Sequence, residues 1–172
     1  ATVSRNPRVI EAYLGAQAQE ALPVLAKWLG TYRVGPYAAR AMHLIGDAAI
    51  PLLGAALALS ESKTSALWAL GHFGPRAASV RPLLLAALAF STNAAQSDQD
   101  QLYWAIGQMG YSEEAASALV GRFDEYGEAP SAAIGAMGPQ ALPALLPMLK
   151  SENRDRIIRA MKAIQHWGPG AF

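Results

Sequence analysis

"WALGHFGPRAASVRPLLLAAL", residues Trp68 to Leu88, joins two apolar stretches of helical character through a Gly-Pro. Read alone it is one hairpin of helices, with glycine closing the first and proline opening the second. Whether it is a single hairpin or one unit of a series is decided by counting from its glycine, Gly74. Glycines in the same setting stand at 46, 110, 138 and 168, so that the five are separated by 28, 36, 28 and 30 residues. That spacing is a repeat period.

The residues before each glycine recur in register. Five positions upstream stands alanine every time: Ala41, Ala69, Ala105, Ala133 and Ala163. Four upstream are Met42, Leu70, Ile106, Ile134 and Ile164, and one upstream are Ile45, Phe73, Met109, Met137 and Trp167. Eight upstream are Ala38, Ala66, Leu102, Pro130 and Ala160. These offsets trace one face of an amphipathic helix five times over.

A shared continuation follows: "GDAAIPLL" at Gly46, "GPRAASVRPLL" at Gly74, "GPQALPALL" at Gly138 and "GPGAF" at Gly168. Each reads as a helix stop and a new start, the second helix carrying an early proline at Pro51, Pro82 or Pro143. The Gly110 unit departs, with Gly-Tyr and a proline-free "SEEAASALVGRF". A degenerate opening pair spans 5–30, with Asn6 as cap and Pro7 in the first turn. Repeats then cover 36–58, 61–90, 98–123, 128–150 and an incomplete 151–172. About eleven helices and no strand are expected, in one domain over 1–172. Polar connectors such as "SESKT" (60–64), "STNAAQSDQD" (91–100) and "KSENRDR" (150–156) supply caps, among them Asp100 and Ser151.

Composition narrows the function. The 172 residues carry 14 basic and 13 acidic side chains, a net charge of +1, which provides no global field for nucleic acid or an anionic membrane. No apolar run reaches the roughly 18–20 residues of a membrane-spanning helix, so no insertion is expected. Cysteine is absent, which removes disulfides, thiolate metal sites and a cysteine nucleophile. The chain opens on Ala1 rather than Met, consistent with removal of a leader or of a larger upstream region. A cytoplasmic location is the expectation.

The recurring "A-[LI]-x-x-[FM]-G-[PD]-x-A…P-L-L" over Tyr37 to Phe172 resembles HEAT repeats, in particular the short bacterial type named for the bilin lyases of light-harvesting antennae. The resemblance implies an all-α, right-handed α-solenoid of about five to six helical hairpins, second helices lining the concave side, each unit burying its apolar face against its neighbours. Members range from protein scaffolds to a few enzymes, so the fold alone does not choose a function. Separately, "NPRVIEAYLG" (6–15) is similar to the C-terminal tail of ATP-binding subunits of branched-chain amino-acid transporters. The chain holds no G-x-x-x-x-G-K-[ST] phosphate loop, so no ATPase activity is expected here.

Catalytic and metal chemistry find no signature. His43, His72 and His166 fall two or three residues before a repeat glycine, where a histidine complements the helix dipole. None is followed by Glu, so the His-Glu pairs of HEAT-repeat iron hydroxylases are missing, and no metal or other cofactor is expected. Asp98, Asp100, Asp124 and Glu125 read as carboxylates at helix starts. The candidates for partner binding are instead aromatic and basic. Trp68 and Trp104 share the slot six before the glycine, filled elsewhere by Arg40, Ala132 and Lys162, and Trp167 stands beside the last glycine. They fill a seam between units or form a patch for a partner. Arg122 and Lys150 stand twelve after Gly110 and Gly138, and Lys27 the same distance after Gly15. With Arg81 they form a candidate edge for an acidic partner, against the simpler reading of helix-dipole complements. Ala58 and Ala86 break that series.

"RDRIIRAMKAIQHWG" ends in a turn into a helix that the sequence does not contain, leaving Ala160, Ala163, Ile164 and Trp167 without their usual cover. Solenoids need capping units, so this reads as a fragment of a longer solenoid or as an end that docks on another subunit. The expected function is a non-enzymatic scaffold that binds a protein partner through its concave face or C-terminal end. The alternatives are a bilin lyase or lyase subunit handling an open-chain tetrapyrrole and its acceptor protein, and, less favoured by charge, a nucleic-acid-binding protein.

Overall fold

The computed structural model describes residues 15, 17–90, 96–124 and 128–168. Asn6, Pro7, Glu125 and the turn beyond Gly168 lie outside the described residues. Within them the secondary structure is all helical, with no strand. The helices are α1 (Leu22–Trp28), α2 (Gly35–Ile45), α3 (Ile50–Ala56), α4 (Ser60–Phe73), α5 (Arg81–Phe90), α6 (Gln96–Gln108), α7 (Glu113–Val120), α8 (Ala129–Met137), α9 (Leu142–Leu149) and α10 (Arg154–Gln165). Short 3-10 turns at Asp47–Ala49, Gly74–Val80 and Pro139–Ala141 lead into α3, α5 and α9.

The recurrent glycines do what their spacing predicts. Gly46, Gly74, Gly110, Gly138 and Gly168 all have positive φ, between 58° and 111°. At Gly138 (φ 83°) the chain closes α8 and redirects by 113° into the Pro139–Leu149 segment, a conformation in which a Cβ would crowd the backbone. Pro51 and Pro143 occupy the first turns of α3 and α9, where no amide is needed for the helical ladder. Pro147, inside α9, has no N–H to give the carbonyl of Pro143.

The stripe read from sequence is the core. Ala38, Met42, Ala66, Ala69, Leu70, Leu102, Ala105, Ile106, Ala133, Ile134, Ala160 and Ala163 are all buried. Ala41, Ile45, Ile164 and Trp167 are half-buried. Tyr103, which the pattern left undecided, is fully buried, and Tyr37 is 73% exposed.

Ser60–Thr64 and the described residues 96–100 of the next connector are helix rather than loop. Ser60–Thr64 forms the first turn of α4, drawn in because the buried Ser62 hydroxyl donates to the Ala56 carbonyl (2.7 Å). Asp100 lies inside α6, which begins at Gln96, so it does not act as a cap. The cap of α10 is Asn153, whose Oδ1 accepts from the amide of Asp155 (2.9 Å), while Ser151 Oγ accepts from the Asn153 amide (3.1 Å).

The chain divides into two compact units, residues 1–70 and 71–172. In the first, α1 packs on α2 and α3. In the second, the first helices α6, α8 and α10 stack in succession, α7 lies beside α9, and α5 packs on α6. In the second unit the first helices α6, α8 and α10 thus form one row, with α7 and α9 packed beside each other, and the candidate site lies between two helices of that row.

Candidate functional site

The spacing between α6, α8 and α10 is set by glycines that the repeat pattern did not single out. Three residues before the turn glycines stand Gly71, Gly107 and Gly135. A Cβ on Gly107 would lie 2.6 Å from the Ala133 carbonyl oxygen and 2.8 Å from Ala133 Cα, so α6 and α8 meet backbone to backbone. A Cβ on Gly135 would lie 2.7 Å from Cβ of His166, and one on Gly71 would strike the six-membered ring of Trp104. Their meaning was hidden in the sequence, since a glycine within a helix shows no partner until the neighbouring helix is in place.

The notch at Gly71 seats Trp104. Its indole lies against the Gly71 backbone and is flanked by the His72 ring, 5.0 Å away between centroids and tilted by 56°. Asp100, Trp104 and Gln108 are spaced four residues apart on α6 and form one face. Opposite them run Ala129, Ala132, Ala133 and Ala136 on α8, with Glu128 at its start. These two rows enclose a groove of about 350 Å³, with Trp104 on one wall, alanine methyls on the other and the carboxylates of Asp100 and Glu128 along it.

The remaining sequence candidates are placed differently. Arg81 Nη2 donates to the carbonyls of Met109 (2.7 Å) and Gly110 (3.3 Å), and Arg122 Nη2 donates to the carbonyl of Leu88 (2.9 Å). Both guanidiniums thus bind carbonyls near the ends of other helices, α6 and α5, the orphan acceptors every helix leaves at its C-terminus. Lys27 and Lys150 are exposed, in the last turn of α1 and at the end of α9. Trp68 is half-buried in α4. Trp167 donates its Nε1 hydrogen to the Gly135 carbonyl (3.0 Å), which locks α10 to α8. Of the seven candidates only Trp104 lines this groove.

The connector carboxylates turn out to be cross-helix partners. Asp124 receives Arg156 Nε at 2.9 and 3.0 Å and also its Nη2. That hydrogen bonding holds the Asp124 carboxyl below its ordinary value of 3.8; desolvation opposes it in part, and the charges of Arg156 and then Arg159 add to the lowering. Glu128 binds Lys162 Nζ, and this hydrogen bond and the lysine charge likewise lower its pKa. His166 Nδ1 donates to the Lys162 carbonyl (2.8 Å), as expected of a histidine near a helix end. Among the described residues no group of three or more His, Cys, Asp or Glu side chains is placed to hold a metal ion. No single described helix is long and apolar enough to cross a membrane.

Two further surfaces stand out. Val34, Tyr37, Leu25 and a half-exposed Trp28 line an apolar groove of about 430 Å³ in the first unit. In the second unit, a groove of about 680 Å³ runs between α7 and α9, bordered by Glu113, Ser117, Val120, Pro143 and Met148.

Residues 1–19 match a family model described as a branched-chain amino acid ATP-binding cassette transporter. The match covers the opening 19 of 172 residues and stops before α1. A search of curated proteins finds no match.

Proposed function

We propose that this chain is a non-enzymatic scaffold of HEAT-like repeats, its hairpins following one another as a right-handed solenoid, which binds a protein partner at a groove between first helices α6 and α8, in place of the second-helix concave face or C-terminal end expected from the sequence. The observation that carries the proposal is the Trp104 groove. A large amphipathic side chain is held rigid by Gly71 and His72 at the wall of an open channel floored by small side chains. Rigid, partly exposed tryptophans surrounded by small residues are the usual anchors of protein interfaces. The apolar Trp28–Tyr37 groove supports the same reading, since apolar patches left at a surface mark interaction sites. The test is site-specific photo-crosslinking in the native host. A photoreactive residue at Ala132 should yield a discrete protein adduct that Trp104→Ala removes. No adduct at Ala132 or at Tyr37 would overturn the scaffold reading, and a tetrapyrrole absorbance in the purified protein would replace it with the lyase reading.

A second reading rests on residues 1–19. Their similarity to the transporter family supports a place for the repeats beside an ATP-binding transport subunit, as a module that docks on that assembly. Co-purification of a transport ATPase with this protein is the expected result, and its absence from a native pull-down refutes this reading.

A further inference from the structure

We infer that the exposed aromatic and basic surface formed by α1, α2 and the turn between them lies on the face of an anionic lipid bilayer, without crossing it. The inference goes beyond the scaffold reading, which is carried by the Trp104 groove. It starts from a departure from the repeat. Nine residues before the later glycines stand Ser65, Gln101, Ala129 and Arg159, and two before them stand His72, Gln108, Ala136 and His166. These slots are polar or small wherever the period recurs, yet before Gly46 they hold Tyr37 and Leu44, which are 73% and 78% exposed. Packing within the repeat therefore does not account for these two large side chains.

Their neighbours extend the same surface. Tyr37, Ala41 and Leu44 fall on one side of α2, and Tyr37 and Ala41 line the groove of about 430 Å³ that Leu25 and Trp28 of α1 also line. Val24, one turn before Trp28, and Val34, at the groove, are exposed as well, and the turn adds Tyr32 at 91% exposure. Charge follows the same stretch. Between residues 21 and 46 the sequence holds Lys27, Arg33 and Arg40, all exposed, and no carboxylate. A chain of net charge +1 thus carries a local positive field here, offset at its margin by Glu61, which lines the adjoining cavity with Tyr32 and Arg33. Tryptophan and tyrosine pair an apolar body with a polar tip, which suits them to the boundary between headgroups and acyl chains. Lysine and arginine lay their stems on apolar surface while their heads reach lipid phosphates, and an anionic leaflet attracts such clusters at short range. A single-stranded nucleic acid would use the charges and the aromatic faces but has no use for the exposed aliphatic side chains of Val24, Val34 and Leu44.

The test is co-sedimentation of the full chain with vesicles of equal parts phosphatidylcholine and phosphatidylglycerol, compared with phosphatidylcholine alone. Binding to the mixed vesicles that weakens as salt rises is expected, with little binding to phosphatidylcholine. Arg33→Gln combined with Arg40→Gln should weaken it about tenfold or more, and Tyr32→Ser combined with Leu44→Ser by a similar factor. Phe90→Ser and Arg154→Gln, which change an exposed phenylalanine and an exposed arginine outside this surface, should leave binding unchanged. All the altered side chains are exposed, circular dichroism establishes that each variant is folded, and either double variant suffices if the other is not. Absence of binding to the mixed vesicles, equal binding to both kinds, or binding that survives the double variants overturns the inference. Binding of a fluorescent oligothymidylate without vesicle binding also overturns it and assigns the surface to nucleic acid. The scaffold reading fails separately: a protein adduct at Tyr37 without vesicle binding removes the lipid inference alone, whereas vesicle binding without an adduct at Ala132 or Tyr37 upholds the lipid surface and removes the scaffold.

Discussion

Gly107→Ala isolates the close approach on which the stack of α6 and α8 depends. In an unobstructed helix interior, alanine in place of glycine stabilises by about 1 kcal/mol. Here the new methyl would stand 2.6 Å from the Ala133 oxygen, 2.8 Å from its Cα and 3.0 Å from its carbonyl carbon. All three atoms are backbone, so no side chain can rotate away and α8 itself must move. Overpacking of a closed site costs about 1–3 kcal/mol, and displacement of a whole helix belongs at the upper end. Subtracting the propensity gain leaves a net loss of about 1–2 kcal/mol, or about 2–8 °C in Tm for a chain of this size. The matched control is Gly121→Ala. Gly121 has φ −60°, and its added Cβ would meet only ordinary contacts at 3.5 and 3.6 Å, so its stability should change by no more than about 0.5 kcal/mol. Urea unfolding followed by tryptophan fluorescence and by far-ultraviolet circular dichroism gives the midpoints. With two compact units in the chain, the two probes need not coincide, and the midpoint shift is the quantity to compare. If Gly107→Ala unfolds at the same or a higher urea concentration than wild type, the helices are not in backbone contact at this point and the reasoning fails.

Arg122→Ala removes the donor to the Leu88 carbonyl and should cost about 1–2 kcal/mol, read as a lower urea midpoint; an unchanged midpoint would show that the guanidinium is not a structural tie. Gly138→Ala forces a Cβ into a φ of 83° at the α8–α9 turn and should destabilise by about 1–2 kcal/mol, while an equal midpoint would mean that the turn relaxes to negative φ. The Asp124–Arg156 pair gives a pH signature. Because the folded Asp124 carboxyl titrates below 3.8, its contribution is present above that value and lost as pH falls through the lower, folded pKa. Asp124→Asn should therefore lower Tm at pH 7 by an amount that closes below about pH 4. A gap that persists at pH 2 would assign the loss to something other than the ion pair.

The residues that were legible in advance are those whose role is local. Ala105, Ile106 and Met109 repeat the offsets of Ala69, Leu70 and Phe73, and all six are core. Where sequence reasoning was incomplete, the missing fact was a neighbour. Arg122 resembles any basic residue near a helix end, yet its hydrogen bond goes to Leu88, 34 positions away. Asp124 reads as a carboxylate at a helix start and is the partner of Arg156, 32 positions away. Asp100 reads as a cap because serine, aspartate and glutamine cluster before it, but the helix begins at Gln96 and carries it inward as a wall residue.

From the sequence alone, then, come the hairpin, its repetition and the face each helix buries, because glycine's access to positive φ, proline's missing amide and the 3.6-residue period all act within a few residues of chain. Tertiary structure alone decides which glycines are contacts rather than turns, which charges pair, and that Ala132 opens a groove beside Trp104. Those outcomes depend on the distance and register between helices about 30 residues apart in sequence, which follow from how the side chains of both helices pack together.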